Sequence, residues 1–380
     1  VTSKTFYSVS QARDLAQRVL PKVIFDYIEG GADEEITMLN NRKAFQKIFF
    51  KPKMVQGSFT PELETELLGF KLSMPILLAP CGLVKIMNPD GALGAVKAAE
   101  RFQTISVLSA VAGTSLEDVT QDLKSNNLWF QLYASKGQEE IKQLIDRAYQ
   151  ANVSALVVTV DTPELGNRLR DAINGVKPPI NINLRNASKL LYQILSKPKW
   201  TYGTLSDFVK MRKNPSSGFM AKDMLKMAAS PFSWDDIKLI KNSWDKYLII
   251  KGVLTKEDAQ RAVDNGADGI VVSNHGGRQL EGAPPTIEVI SEIADQVSKS
   301  VPVILDSGIR TGTDVIKALC LGASAVMIGR PYLYGLSVAG QKGIERILEI
   351  FKQELITDMV LLGCKSVKEL DKSWLFLRDK

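Results

Sequence analysis

The chain has 380 residues, with 48 Lys+Arg against 42 Asp+Glu and a formal net charge of +6. A 45% hydrophobic and 24% charged composition excludes a disordered or collagen-like chain, and three scattered cysteines without a C-x-x-C pair exclude a disulfide or zinc framework and point to a reducing compartment. The single histidine excludes a metal centre built on several histidines and gives histidine chemistry one address, His275.

In chain order, residues 1–74 read as an N-terminal helical extension of two or three short helices, with Pro21 at one helix start and Gly30-Gly31 at its end. No continuous apolar run resembling a signal peptide opens it, so a soluble or peripherally attached protein is expected. From residue 75 short β-branched apolar runs alternate with amphipathic helical stretches. The runs are Pro75–Ala79, Thr104–Leu108, Leu128–Tyr133, Ala155–Thr159, Tyr247–Lys251, Gly269–Ser273, Val303–Asp306 and Ala325–Ile328. Eight such runs predict an α/β chain whose residues 75–380 form a (β/α)8 TIM barrel. A doubly wound sheet is the alternative, but its G-x-G-x-x-G turn is absent.

A long inserted loop is predicted after the fourth strand, at 177–230. It holds ten basic residues and two acidic ones, so it carries +8 and the rest of the chain −2. Positive charge confined to one stretch argues against a nucleic-acid partner. Leu190, Leu191, Leu195, Trp200, Tyr202 and several methionines are interleaved with the lysines, which suits an interfacial segment, while a soluble active-site lid suits it too.

Barrel chemistry sits at the C-terminal ends of the strands. There the sequence places Gln131 and Tyr133, then Thr159 and Asp161 with Arg168 shortly after, and Lys251-Gly252. Ser273-Asn274-His275-Gly276-Gly277-Arg278-Gln279, Asp306-Ser307-Gly308-Ile309-Arg310 and Gly329-Arg330 follow. Taken singly, Asp306 and Arg310 fit a structural ion pair, His275 a core histidine and Lys251 a solvent-reaching side chain. Jointly they fall at one mouth. Gly308, Arg310, Gly329 and Arg330 suit a phosphate, and Arg168 with Arg278 suits a carboxylate.

At SNHGGRQLEG (Ser273–Gly282), DSGIRTG (Asp306–Gly312) and IGRPYLYGL (Ile328–Leu336) the chain resembles the FMN-dependent L-2-hydroxyacid oxidases and dehydrogenases. The likeness extends through LPKVIFDYIEGGADEE (Leu20–Glu35), FKPKM, LLAPCG, WFQLY and TVDTP. The resemblance implies bound FMN and no metal. It implies oxidation of an L-2-hydroxy acid to the 2-oxo acid, with His275 as base and Asp161 as its partner, a pairing expected to raise the imidazole pKa. Arg278 and Arg168 are implied as the substrate-carboxylate clamp, Tyr27 and Tyr133 as substrate hydrogen-bonding groups, and Lys251 as a cation beside the flavin. Ala79, Pro80, Cys81, Ser109, Gln131, Thr159, Ser273 and Asp306 are implied as flavin or ribityl contacts, with Gly308, Arg310, Gly329 and Arg330 at the phosphate.

Gly82, where small-substrate relatives carry alanine, and Val111, in place of a large aromatic, imply a substrate bulkier than glycolate, such as lactate or mandelate. The expected electron acceptor is a quinone, with the enzyme peripheral on the inner face of the cell membrane through 177–230, or otherwise cytoplasmic. The alternative is an O2-dependent lactate oxidase that makes hydrogen peroxide, and a remoter one is a phosphate-binding barrel isomerase. The resemblance also implies a homotetramer.

Overall fold

Each of the eight predicted runs supplies one strand of a closed parallel barrel in the computed structural model, which describes residues 6–121, 123–124, 127–133, 138–175, 191–213 and 233–376. In chain order the described strands are β1 (Phe49–Phe50), β2 (Thr65–Leu67), β3 (Phe70–Leu72), β4 (Ile76–Leu78), β5 (Ser106–Ser109) and β6 (Leu128–Tyr133). After them come β7 (Ala155–Thr159), β8 (Tyr247–Val253), β9 (Gly269–Val272), β10 (Val303–Leu305), β11 (Ala325–Ile328) and β12 (Leu375–Phe376). The barrel closes in the order β10-β11-β4-β5-β6-β7-β8-β9, which removes the doubly wound alternative.

Continuous apolar strands follow from burial on both faces. One set of side chains, including Leu77, Val107, Trp129, Val157, Ile249 and Met327, fills the barrel interior. The alternate set, including Leu78, Phe130, Val158 and Ile250, packs outward under the helices. The β2–β3 hairpin adds Leu67 and Leu72 to the interior cluster, and Phe70 meets Trp129 edge-on with ring centroids 6.4 Å apart. That hairpin and the two-residue β1–β12 pairing were not read from the sequence.

Before the barrel lie α1 (Val9–Val19), α2 (Lys22–Glu29) and α3 (Ile36–Gln46), with Pro21 and Gly30 flanking α2 as predicted. The helix Trp234–Ser243 begins with a reciprocal capping box between Ser233 and Asp236. The last long helix, Arg330–Leu362, breaks at Ala339–Gly340, where the Asp90 carboxylate accepts from the Gln341 N–H at 2.8 Å.

Of the inserted stretch at 177–230, the segments 177–190 and 214–230 lie outside the described residues. The described part includes the helix Pro198–Lys213. Trp200 Nε1 donates to the Ile86 carbonyl at 2.8 Å, and Gln193 Oε1 accepts from the Val23 N–H at 2.9 Å. Its Leu191, Tyr192, Leu195, Tyr202 and Leu205 are exposed. Among the described residues no helix is long and apolar enough to cross a membrane.

Candidate active site

A cleft of about 1100 Å³, its open mouth included, lies at the C-terminal end of the barrel strands. Of the predicted residues, Tyr27, Ala79, Pro80, Cys81, Gly82, Tyr133, Arg168, Lys251, His275, Arg278, Asp306, Gly308, Arg310, Gly329 and Arg330 line it. Five do not. Asp161 stands behind His275, and Ser273 behind Lys251. Ser109, Gln131 and Thr159 form a buried chain across β5, β6 and β7, with Ser109 Oγ donating to Gln131 Oε1 at 2.7 Å and Gln131 Nε2 donating to Thr159 Oγ1 at 2.9 Å.

His275 sits in a left-handed turn, with φ of 58°, 68° and 72° at His275, Gly276 and Gly277. Left-handed backbone is unfavourable for a β-carbon-bearing residue, so neighbours must hold it. The His275 N–H donates to Ser273 Oγ at 3.1 Å, and the Gly276 N–H to Ser307 Oγ at 2.9 Å. Beneath the turn, Asn274 and Asn41 of α3 exchange two amide hydrogen bonds of 2.7 and 2.8 Å, both side chains buried.

The imidazole is one-fifth exposed, and its Nδ1 lies 3.1 Å from Asp161 Oδ1. Nε2 is thereby the nitrogen left for a reacting proton. Burial pulls the His275 pKa down, and Lys251 and Arg168 add to it; together they outweigh the Asp161 carboxylate, so the pKa falls below its ordinary value. The Asp161 pairing pulls the pKa upward as expected, but burial wins, and His275 stands neutral near pH 7. Burial pushes Asp161 up, but His275 and Lys251 more than offset it, so its carboxyl titrates low.

Lys251 is 4% exposed, with Nζ 3.2 Å from Asp306 Oδ2 and donating to Ser273 Oγ at 2.9 Å. Burial lowers its pKa, yet Asp306 and Asp161 more than compensate, so it stays cationic. Asp306 thus pairs with Lys251, not with Arg310.

Two arginines meet the C-terminal end of α2. Arg278 Nη1 donates to the carbonyls of Tyr27 and Gly30, both at 2.7 Å, with its guanidinium 5.0 Å over the Tyr27 ring. Arg330 donates to Ile28, Gly276 and Gly30 carbonyls at 2.8–3.0 Å. Cations there complement the free carbonyls of the helix end. Among the described residues three of Arg330's five N–H groups are so engaged, and two remain for an anion.

Burial and the neighbouring Arg278 draw Arg168 down to about 10, so it is charged at neutral pH, and its buried Nε has no partner among the described residues. Burial raises the Tyr27 and Tyr133 phenols, which stay protonated donors. The arrangement therefore offers a neutral base, two guanidiniums and two phenols around one space, with a fixed cation below. Thr162, Leu165, Ser307 and Leu333 also line the cleft and were not predicted site residues. For Ser307 the signal was its place between Asp306 and Gly308.

A family model described as FMN-dependent dehydrogenase matches residues 16–377. A 2-hydroxyacid oxidase of Dictyostelium discoideum is 37% identical, covering 99% of this chain and 92% of its own. The 2-hydroxyacid oxidase 1 of Homo sapiens is 39% identical over 94% of this chain and 93% of its own. Among solved structures, the monotopic membrane protein (S)-mandelate dehydrogenase superposes with a TM-score of 0.90 at 34% identity, covering 99% of this chain and 100% of that one. A mandelate oxidase gives 0.83 at 33% identity, covering 98% and 99%.

Proposed function

Since the chain belongs to the FMN-dependent dehydrogenase family, we propose that it oxidises an L-2-hydroxy acid larger than glycolate, such as lactate or mandelate, to the 2-oxo acid. The observation that carries this reading is His275, backed by Asp161, facing the same cleft as Arg168, Arg278, Tyr27 and Tyr133. The residues fit FMN. Gly308 and Gly329 both line the wall, and the Arg310 guanidinium spends one hydrogen bond, on the Ile309 carbonyl, among the described residues. A Cβ at Gly329 would stand 3.6 Å from Cys81 Sγ and close the space between them. Gly308, Gly329, Arg310 and the two remaining N–H groups of Arg330 would hold the phosphate, and Lys251 would sit by the ring.

FMN, when bound, accepts the two electrons of the oxidation. The chain does the rest. Arg168 and Arg278 grip the substrate carboxylate, Tyr27 and Tyr133 donate to its oxygens, and neutral His275 takes the proton the substrate sheds at Nε2. Asp161 then stabilises the imidazolium, whose Nδ1–H it accepts. Lys251 offsets negative charge that builds in the cleft.

Gly82 and Val111 support the larger substrate: a Cβ on Gly82 would lie 3.0 Å from Val111 Cγ2 and 3.2 Å from Tyr27 Oη, so alanine there would have to push one of these cleft-lining side chains aside. The exposed apolar face on 191–205 supports a quinone acceptor at a membrane surface. The curated oxidases at 37% and 39% identity support the second reading, reoxidation by O2.

Anaerobic addition of L-lactate, L-mandelate or glycolate, followed by O2 or a quinone analogue, tests all three points. Bleaching of the flavin by the larger acids and faster recovery with quinone are expected. Glycolate oxidised at least as well as the others would overturn the substrate assignment.

A further inference from the structure

Gln279 closes the SNHGGRQ run and has no part in the reaction as argued, yet it is only 8% exposed and its side-chain amide is saturated. Nε2 donates to the carbonyls of Asp161 and Glu164, both at 2.9 Å. Oε1 accepts from the Gly166 N–H at 3.2 Å and, more weakly, from Arg168 Nη2 at 3.4 Å. A primary amide has two donor hydrogens and two acceptor sites, and all four point the same way. Every partner lies in residues 161–168, the segment with Asp161 at one end and Arg168 at the other. Gln279's own segment carries His275 and Arg278.

A second observation concerns the same seam. A Cβ on Gly166 would stand 2.3 Å from the Arg278 carbonyl oxygen and 2.8 Å from Gln279 Cα, so the two segments meet backbone to backbone. The contact to Gln279 is also the one side-chain hydrogen bond of Arg168 among the described residues. We infer that Gln279 is a positioning residue that fixes the His275–Asp161 base and the Arg168–Arg278 carboxylate clamp at one spacing. The inference rests on the roles proposed above for those four residues.

Without the amide, two part-buried hydrogen bonds to carbonyls and one to an N–H are lost, and the 161–168 segment is free to shift against its neighbour. Such a shift moves base and clamp relative to each other while the cofactor end of the cleft stays as it is. Carboxylate affinity and proton acceptance then suffer together.

The test uses the FMN-loaded enzyme, Gln279→Met and Gln279→Glu. Oxalate, a dicarboxylate with no oxidisable C–H bond, is titrated by the change in flavin absorbance, and the pH profile of anaerobic flavin reduction is recorded. In the Met variant oxalate affinity is expected to fall roughly tenfold to a hundredfold. KM should rise and the acid limb of the profile should move, with FMN content unchanged. The Glu variant keeps length and both acceptors but loses both donors, and should weaken oxalate binding as well. Unaltered oxalate affinity and pH profile in both variants overturn the proposal. So does a loss that appears only together with FMN release and a lower melting midpoint, because that is a structural role. Failure of the underlying reading shows separately, as a wild-type flavin that no L-2-hydroxy acid bleaches.

Discussion

At the scale of single residues, the His275 pKa makes the sharpest statement about pH. A base whose pKa is depressed works in its neutral form, so flavin reduction should rise with pH through a value below histidine's ordinary one and level off above it. Asp161→Asn removes the group that pulls this pKa upward. The acid limb should therefore move to still lower pH, while the plateau falls by roughly 10²–10⁴ because the imidazolium loses its partner. Stopped-flow reduction across pH 4 to 8 reads both effects, and a limb that moves upward would count against the pairing. Two glycines separate packing from chemistry. Gly277 has φ +72°, and a Cβ there would meet Met38 N at 2.5 Å and Met38 Cα at 2.6 Å, backbone that α3 cannot withdraw. Gly277→Ala should cost about 2 kcal/mol or more, read as a lower melting midpoint. A Cβ on Gly82 meets mainly a Val111 methyl group and the Tyr27 hydroxyl. Gly82→Ala should therefore fold normally and lower kcat/KM for mandelate against glycolate by roughly tenfold or more.

Among the elements, α3 is tied to the catalytic turn by one reciprocal amide pair. Asn41→Leu leaves the buried Asn274 amide half-satisfied, and should cost about 2 kcal/mol with a loss of flavin reduction that FMN saturation does not restore. Thermal melting and anaerobic bleaching of the same sample check both parts. What the sequence discloses about elements depends on length and locality. The barrel strands were legible because each is a continuous apolar run followed by a polar break, and the break carries the chemistry. The β2–β3 hairpin was not. Its strands have three residues each, and its turn, with φ +50° at Leu68 and +78° at Gly69, has the two positive values of a type I′ turn but a leucine in place of the usual Asn or Asp. The β1–β12 pair joins residues more than three hundred positions apart, which no local pattern reveals. In the site, residue identities were legible from the strand ends. The sign of the His275 pKa shift was not, because it depends on how deeply Lys251 and Arg168 are buried beside it. Nor was the work of Gln279 and Arg330, whose partners are mostly backbone groups of segments remote in sequence.

Over the whole molecule the charge is segregated: 177–230 carries +8 and everything else sums to −2. The described part of that stretch is anchored to the N-terminus of α2 through Gln193 and to the loop after β4 through Trp200. Both anchors lead to the cleft, since α2 supplies Tyr27 and the loop supplies Cys81 and Gly82. Leu191, Leu195, Tyr202 and Leu205 are exposed, with exposed Lys199 between them and Lys197 donating to the Arg18 carbonyl. Exposed apolar side chains beside lysine gain from an anionic bilayer twice, through buried area and through surface potential, at about 1 kcal/mol per lysine near the surface. A soluble lid gains only the first, and only when it closes. The two are told apart by salt. Membrane attachment predicts co-sedimentation with vesicles containing anionic lipid at low ionic strength, release as salt rises and the Debye length falls to about 10 Å at 0.1 M, and little binding to neutral vesicles. Leu195→Glu with Tyr202→Glu should abolish binding and leave flavin reduction by substrate intact, because neither residue reaches the cleft wall. Absence of binding at low salt would leave the lid, and the same double variant would then alter substrate KM instead.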